Sequence, residues 1–516
     1  KSKHQFFIFT NKYLFCSFYA HLIFTKAITE LWYNIEISLD REEDSMARRM
    51  TSNVFTKKVL FIRSIFTILF VFIFISIITL SPIYSKSLQK LPLSTKAIDG
   101  KPATGSSLEV ANSKGYSINQ RYSPAGSIIT EINTGQILWD ENSTRKWTPA
   151  SMSKLMTIAL TYDAIKKGKL SIDTVVPVKE RHVRVSSNSK LSNNKMQVGA
   201  SYTIGELIEL IAVPSSAAAT YMLMDLLAPD IDTFVKMMNK KAKDLGMVNT
   251  KYVNPIGVLN VLLGKDGPSG DPYADNYTTA HDYACLCTYL VSNYPDLLKH
   301  TKNANLVSKP GTIYEEHFEG HNYSLAGEKY AFPGADGIKT GSARKGYNYS
   351  LTAKQGNTRM IEIILGVSVW EDELAESMRH PIGNSILEDA FAKYEYRKVL
   401  SAGTYSVKGK IIRVKKDFYD CVPKDYKPKF MCDFKTKTLK LNISNRKYIN
   451  GFTEPSAKFT ILEDNAKSGV SSSNGSFISF IKKIFIFIII LICLLFIRSY
   501  ISYRNRASKR KYERRR

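Results

Sequence analysis

A serine and a lysine three residues apart, Ser151 and Lys154, are the residues of this chain best placed for covalent chemistry. They stand in "TPASMSKLMTIAL", just after Pro149-Ala150 and at the front of an amphipathic helical pattern. Residues three apart share one face of a helix. A serine hydroxyl is a weak nucleophile until a base lies beside it, and a lysine whose pKa is lowered by burial can be that base. The pair therefore predicts acyl transfer through a serine ester.

The spacing by itself does not single out this copy. Ser-x-x-Lys occurs nine times in the chain, and the other copies, such as the one that begins at Ser187, do not follow a proline at a helix start. The alternative interpretation of Ser151 is an ordinary helix start followed by a solvated lysine. On this one motif, that alternative is the simpler interpretation.

A second stretch, "DGIKTGS" at residues 336–342, favours the catalytic interpretation of Ser151. On a strand that faces a pocket, Lys339 offers a cation and Thr340 a hydroxyl. Gly341 leaves room for the backbone of a bound ligand, and Ser342 follows it. An early Ser-x-x-Lys together with a late Lys-Thr-Gly is typical of the penicillin-recognising serine acyltransferases.

Further stretches extend this likeness to a family. The chain resembles the low-molecular-mass penicillin-binding proteins, the D-alanyl-D-alanine carboxypeptidases, over roughly residues 121–395 and more weakly to about residue 465. The stretches that carry the resemblance are "SIITEINTGQILWDENSTRKWTPASMSKLMT", "MQVGASYTIGELIELIAVPSSAAAT", "TKYVNPIGVLN", "YTTAHDYACL" and "DGIKTGSARKGYNYSLTA".

The resemblance implies a mechanism and its ligands. Ser151 would attack a peptidoglycan stem peptide ending in D-Ala-D-Ala, and Lys154 would take its proton. Backbone N–H groups of Ser151 and Ser342 would stabilise the oxyanion, while Lys339 and Thr340 would hold the terminal carboxylate. Water would then hydrolyse the acyl-enzyme, and β-lactams would acylate the same serine. No cofactor and no metal is implied.

One motif departs from the family pattern. The family has a middle Ser-x-Asn, usually continued as Asp-Ala, and the matching stretch here is "PSSAAAT". Ser215 matches the serine, but Ala217 replaces the asparagine and Ala218 the aspartate. The triplets at 186–188 and 192–194 precede the next helix and lie in the wrong register. Ser215 is interpreted as the motif serine, with a simple helix cap as the alternative.

This departure leaves the activity open, because losing a positioning hydrogen bond commonly lowers a rate on the order of 100-fold. The first hypothesis is a serine D-Ala-D-Ala carboxypeptidase. The second is a weakened or inactive homologue that binds peptidoglycan or acts as a scaffold. A β-lactamase, the third, is disfavoured because the chain has no convincing Glu-x-x-Leu-Asn stretch to supply a deacylating glutamate.

The order of elements predicts an α+β fold. A hairpin around Asn133-Thr134-Gly135 precedes several helices, and three consecutive strands with short turns follow between residues 335 and 368. With the resemblance, we expect a penicillin-binding-protein/β-lactamase-like transpeptidase domain, helices against an antiparallel sheet, followed by a small all-β domain. The predicted regions are a stretch that is untranslated or disordered (1–45), a signal peptide (46–85), a linker (86–120), the catalytic domain (121–395), the β domain (396–465), a second linker (466–476), a membrane helix (477–497) and a basic tail (498–516).

The two ends of the chain predict export and membrane attachment. A basic segment after Met46 and an apolar run to Leu80 are typical of a signal peptide, with an uncleaved anchor as the alternative. The apolar run at 477–497, followed by dense Lys and Arg, predicts a transmembrane helix in the inner membrane, with the catalytic domain in the periplasm. A helix lying flat in the interface is the alternative, because Lys482 and Lys483 interrupt the run.

The net charge indicates the kind of partner, and the cysteines raise the question of a disulfide. The formal net charge of +26 suits an anionic partner such as a wall polymer or a membrane surface. Nucleic acid is disfavoured, since no zinc-finger spacing, RNP-like signature or Walker loop occurs. Cys285 and Cys287 are predicted to be buried helix residues. Cys421 and Cys432 flank a loop, and the sequence leaves open whether they form a disulfide.

Overall fold

The computed structural model describes residues 88–369 and 372–464, together with Arg498 and Ile501. The stretch at 1–45, the predicted signal peptide and the predicted membrane helix lie outside these residues. Among the described residues, no helix has the length and apolar content needed to cross a membrane.

Helices and strands follow one another along the described chain. The helices are α1 (Ser107–Ser113), α2 (Lys154–Lys166), α3 (Glu180–Ser186), α4 (Ile204–Ala212), α5 (Ala217–Leu227), α6 (Ile231–Asp244), α7 (Ala280–Asn293), α8 (Leu297–Thr301) and α9 (Glu373–Lys393). The strands are β1 (Gln89–Lys90), β2 (Ile98–Asp99), β3 (Gly126–Glu131), β4 (Ile137–Glu141), β5 (Val175–Pro177), β6 (Ser201–Thr203), β7 (Asn305–Ser308), β8 (Glu316–Glu319), β9 (Ala335–Ala343), β10 (Gly346–Gln355), β11 (Thr358–Val367), β12 (Tyr394–Leu400), β13 (Gly403–Val407), β14 (Lys410–Val414), β15 (Phe418–Pro423), β16 (Phe430–Asp433), β17 (Thr438–Leu441), β18 (Ile443–Ser444) and β19 (Ala457–Asp464).

The catalytic region is built on a five-stranded antiparallel sheet with the strand order β4-β3-β11-β10-β9. The hairpin β3–β4 therefore lies in one sheet with the three late strands β9, β10 and β11. The predicted α+β class is confirmed. Gly135 makes the first turn possible with a φ of 66°, in the left-handed region that glycine adopts without a steric penalty. The sheet places β9, which carries Lys-Thr-Gly, at its edge.

Apolar residues cover both faces of this sheet. On one face, Ile363 packs into a large cluster with residues of α2, α4, α5 and α7, including Leu155 and Leu223. On the other face, Ile364 packs with Ile386 of α9 and with α1. Each fully buried aliphatic side chain of this kind contributes about 1.5–3 kcal/mol. The sheet is thus the rigid middle layer on which the site is assembled.

The C-terminal region forms a separate β structure with its own core. A six-stranded sheet has the order β1-β13-β14-β19-β17-β16, and β12 pairs with β15 beside it. Its apolar cluster includes Ile412, Phe430 and Leu439. The expected small all-β module is therefore present, with one strand that comes from the N-terminal side of the chain.

The sequence predicted a linker at residues 86–120, and this prediction is wrong for the described part of the range, which contains strands and a helix. Strand β1 pairs in parallel with β13, and β2 pairs with β18. Helix α1 buries Leu108 and Ala111, and Ser107 Oγ donates to Glu141 Oε2 at 2.6 Å. Two-residue strands and a seven-residue helix are too short to leave a periodic pattern, which is why the sequence did not reveal them.

The four cysteines of the described residues are free thiols. Cys285 and Cys287 are buried in α7, as predicted. Cys421 lies in β15 and Cys432 in β16, which belong to different sheets. The disulfide that the sequence left open is therefore not formed.

Candidate active site

Ser151 and Lys154 lie side by side where a turn becomes a helix. Ser151 is in the 3-10 turn Ala150–Ser153, and Lys154 is the first residue of α2. Lys154 Nζ lies 2.7 Å from Ser151 Oγ. Ala150 has a positive φ of 51°, a strained conformation of the kind that clusters at functional sites. The sequence placed Ser151 at the helix start, and the structure moves the start of the α-helix three residues on.

The environment of Lys154 suits a base. Its side chain is 1% exposed, although it is a lysine at the beginning of a helix. Burial lowers the pKa of Lys154 from 10.5 to about 7. Near neutral pH a large fraction of this amine is therefore unprotonated, and its lone pair can accept the Ser151 proton.

Three acceptors on three chain segments surround the Lys154 amine. Besides Ser151 Oγ, they are Ser215 Oγ and the Ile256 carbonyl oxygen, each 3.4 Å from Nζ. The structure thus brings the motif serine Ser215 to the lysine. Ser216, not Ser215, caps α5, because its Oγ accepts from the Ala219 N–H. Ala217 is buried and offers no polar side chain at the position of the family's asparagine.

Lys339 lies on edge strand β9, close enough for the charge of Lys154 to act on it. Its side chain is 1% exposed, and its Nζ donates to the Thr340 carbonyl at 2.9 Å. Burial, together with the nearby charges of Lys154 and Arg379, lowers the pKa of Lys339 well below its usual value. An anionic ligand group in reach of Nζ would reverse that destabilisation of the charged form. Lys339 and the largely buried Thr340 are therefore suited to hold a carboxylate.

Gly341 lets β9 approach the turn that carries the nucleophile. A β-carbon at Gly341 would lie 2.8 Å from the Pro149 carbonyl oxygen and 3.1 Å from the Met152 nitrogen. Such contacts are too short for any side chain, so the position requires glycine. The close approach brings Ser342, the next residue of β9, to the neighbourhood of Ser151.

The loop in "TKYVNPIGVLN", to which the sequence assigned no role at the site, contacts Lys154 through the Ile256 carbonyl. The buried Asn254 accepts from the N–H groups of Ile256 (3.1 Å) and Gly257 (2.8 Å) through its Oδ1. Asn276 Nδ2 donates to the Asn254 carbonyl and to Ser153 Oγ. These bonds fix the turn whose Ile256 carbonyl faces the lysine. The stretch "NPIG" carried the only sequence signal, a proline and a glycine typical of a turn.

Behind β9 and β10 lies a second group of residues that the sequence did not indicate. Arg379 of α9 is fully buried and donates to the carbonyls of Asn348 (3.0 Å) and His321 (2.9 Å). Burial acts to raise the pKa of Glu376, but hydrogen bonds from His321 and Ser342 and the charge of Arg379 outweigh it and hold that pKa below its usual value. Asn348 Nδ2 donates to the Thr148 carbonyl, which ties β10 to the segment before Ser151.

A buried lysine amine 2.7 Å from a serine hydroxyl is the arrangement that a serine acyltransferase with a lysine base requires. Residues 117–369 match the family described as D-alanyl-D-alanine carboxypeptidase, and residues 396–460 match a domain of unknown function (DUF1958). The region 117–369 of this chain is therefore similar to the D-alanyl-D-alanine carboxypeptidase family.

Curated relatives carry the same name, and a solved structure has a similar fold. The chain is 28% identical over 295 residues to the D-alanyl-D-alanine carboxypeptidase DacF of Bacillus subtilis, which covers 57% of this chain and 69% of the relative. It is 26% identical over 282 residues to the D-alanyl-D-alanine carboxypeptidase DacA of Haemophilus influenzae, covering 54% of this chain and 64% of the relative. Its fold is similar to that of a peptidoglycan synthesis regulatory factor (PBP3) from Streptococcus pneumoniae, with a TM-score of 0.56, 24% identity, and coverage of 66% of this chain and 99% of that chain.

Proposed function

We propose that the chain is a serine D-alanyl-D-alanine carboxypeptidase that removes the terminal D-alanine of peptidoglycan stem peptides and binds β-lactams. The observation that carries the proposal is the 2.7 Å approach of the buried Lys154 amine to Ser151 Oγ. The family match and the carboxypeptidase names of the relatives support the substrate class.

Acylation follows from the two groups. As Ser151 Oγ forms a bond to the carbonyl carbon of the penultimate D-alanine, its proton passes to Lys154 Nζ. Backbone N–H groups of Ser151 and Ser342 stabilise the negative oxygen that results. The carbon–nitrogen bond then breaks, and the proton on Lys154 goes to the amine of the leaving D-alanine. Lys154 is neutral again at the end of this step.

Deacylation can reuse the same base. A water molecule gives a proton to Lys154 while its oxygen attacks the ester carbon, and that proton returns to Ser151 Oγ as the ester bond breaks. A β-lactam enters by the same attack, but its amide nitrogen stays covalently attached to the acyl group. The product does not diffuse away, so the serine remains acylated for longer.

Lys339 and Thr340 give the site its preference for a chain terminus. A free carboxylate beside the buried Lys339 ammonium offsets the penalty of burying that charge. A peptide that continues beyond this position has no such group. The site therefore favours removal of the last residue over cleavage inside a chain.

D-alanine release from a synthetic peptide that ends in D-Ala-D-Ala tests this function. The purified full chain should release D-alanine, and Ser151→Ala should not. Ser187→Ala is a matched control, because Ser187 begins another Ser-x-x-Lys copy and is exposed at the end of α3. If the folded full chain neither releases D-alanine nor forms a penicillin adduct, the alternative of a peptidoglycan-binding scaffold replaces the enzyme.

We also propose that the protein is exported and held at the inner membrane, with its catalytic region in the periplasm. The support is the sequence pattern of residues 46–85 and 477–497 and the basic tail. In a bacterial host, the full chain should sediment with membranes. The double variant Ile488→Arg, Leu491→Arg should reduce that fraction, whereas Ser472→Arg, Ser473→Arg should not. Equal sedimentation of both variants would contradict the anchor.

A further inference from the structure

The segment Ser192–Asn194, here called the strap, lies across the first turn of α5. The Ala217 N–H donates to the Ser192 carbonyl at 2.9 Å. The Ala218 N–H donates to Asn193 Oδ1 at 2.9 Å. The first N–H groups of a helix have no partner within the helix, so the strap supplies partners from another part of the chain.

The strap also holds the residue that precedes the helix. Ser216 Oγ donates to Asn194 Oδ1 at 2.7 Å, and both side chains are buried. Asn193 Nδ2 donates to the Val185 carbonyl at 2.9 Å, which ties the strap to α3. A continuous chain of hydrogen bonds therefore runs from α3 through the strap to the beginning of α5.

Ser215, directly before these bonded residues, has an unusual backbone conformation. Its φ is 61°, in the left-handed region that a residue with a β-carbon rarely adopts. Such a conformation persists when the surrounding structure fixes it. The Ser216 N–H donates to the Leu210 carbonyl on one side, and the strap bonds follow on the other. Ser215 Oγ reaches Lys154 Nζ at 3.4 Å, close to the limit of a hydrogen bond, so a small shift would break the contact.

We propose that Asn193 and Asn194 are positioning residues that hold Ser215 against Lys154 from outside the motif. The side chain at 217, which has no polar group, cannot take part in this task. The strap is itself a Ser-x-Asn triplet in sequence, but its amides contact the backbone and side chain of the helix start. The inference rests on the proposed function and explains what holds Ser215 in its position.

The test compares three single variants of the full chain in stopped-flow acylation by a fluorescent penicillin. Asn193→Ala should lower the acylation rate constant at saturating penicillin about tenfold, with a smaller change in the dissociation constant. Asn193→Asp should restore most of the rate, because its carboxylate still accepts from Ala218 and suits a helix N-terminus. Asn188→Ala is the matched control, a half-buried asparagine nearby whose Nδ2 donates to the Leu262 carbonyl and not to α5.

Hydrogen exchange supplies a readout that does not depend on activity. Asn193→Ala should accelerate exchange of the Ala217 and Ala218 amides, and Asn188→Ala should not. If wild type is acylated and Asn193→Ala is acylated at the same rate, the positioning role is wrong, whereas the proposed function stands. If Asn193→Ala and Asn188→Ala lower the acylation rate constant equally, the positioning role is also wrong, because the effect is then a general one of the loop. A folded wild type that forms no adduct contradicts the proposed function, and the positioning role falls with it.

Discussion

Gly257 lies against Ala150, the residue before the nucleophile, more closely than any side chain would allow. A β-carbon at Gly257 would come within 1.8 Å of the Ala150 carbonyl oxygen and within 2.7 Å of Ser153 Oγ. Gly257 also follows Ile256, whose carbonyl faces Lys154. One backbone contact therefore sets the positions of both the turn with the serine and an acceptor of the lysine.

We expect Gly257→Ala to reduce the penicillin acylation rate by about 100-fold or more, because the clash must separate the two loops by a distance that catalysis does not tolerate. Gly264→Ala is the control. Gly264 also has a positive φ, 54°, but its added β-carbon would meet nothing within 4 Å. Both substitutions add backbone strain at a positive φ, and Gly257→Ala adds the clash, so the melting temperature of Gly257→Ala should fall further. Comparable acylation by the two variants would contradict the close-contact argument.

The pH dependence of acylation should report the titration of Lys154. Its pKa of about 7 in the folded chain lies below 10.5, so the neutral, reactive form is lost as pH falls through 7. The acylation rate constant should rise about tenfold per pH unit below this value and level off above it. Stopped-flow acylation between pH 5 and 9 measures the profile.

Lys154→Arg should abolish acylation over that whole range, since a guanidinium keeps its proton. Lys190→Arg, in the Ser-x-x-Lys copy that begins at Ser187, should retain the wild-type profile. A wild-type rate that does not change between pH 5 and 9 would show that Lys154 is not the base.

Restoring an amide at position 217 should increase turnover. Ala217→Asn is expected to raise the rate of D-alanine release about tenfold, because an amide at the position that the resemblance assigns to the family's asparagine would add a positioning hydrogen bond. The site is fully buried, so the added volume should lower the free energy of unfolding by about 1–3 kcal/mol. Ala218→Asn, at an equally buried position, should show the destabilisation without the gain in rate. A gain in both variants, or in neither, would contradict this assignment.

Glu362 should make the stability of the sheet depend on pH. It is fully buried in β11, it accepts a hydrogen bond from Tyr349 Oη, and burial raises its pKa from 4.5 to about 8. The folded chain therefore binds a proton that the unfolded chain has lost between pH 4.5 and 8, and stability falls as pH rises through this window.

Glu362→Gln should remove this loss. Its advantage in unfolding free energy over wild type should grow by about 1.4 kcal/mol per pH unit between pH 5 and 8, and stay constant above. Denaturant melts at several pH values measure the difference. Parallel pH dependence of the two proteins would mean that Glu362 is not the group responsible.

The local parts of the site could be predicted from the sequence, and the contacts between distant loops could not. Ser151 and Lys154 are close because helical spacing makes them so, and Lys339 and Thr340 belong to one short motif. Ser215 was identified by matching "PSSAAAT" to the middle motif of the family. By contrast, the Ile256 carbonyl is 102 residues from Lys154 and uses a backbone atom, which leaves no residue-type signal.

The sequence also predicted which segments form helices and strands better than it predicted which of them contact one another. Apolar periodicity indicated α2, α4, α5 and α7, and short β runs indicated the five strands of the central sheet. It did not indicate that residues 88–120 add strands to the distant β domain, because two-residue strands are too short to leave a side-chain pattern. The buried Arg379 escaped notice for a related reason, since its partners are carbonyl groups.

Intact-mass analysis of the full chain after incubation with penicillin shows whether Ser151 is the nucleophile. We expect one covalent adduct on wild type, none on Ser151→Ala, and an unchanged adduct on Ser187→Ala. An adduct on Ser151→Ala, or no adduct on a folded wild type at high penicillin concentration, would contradict the assignment of Ser151 as the nucleophile.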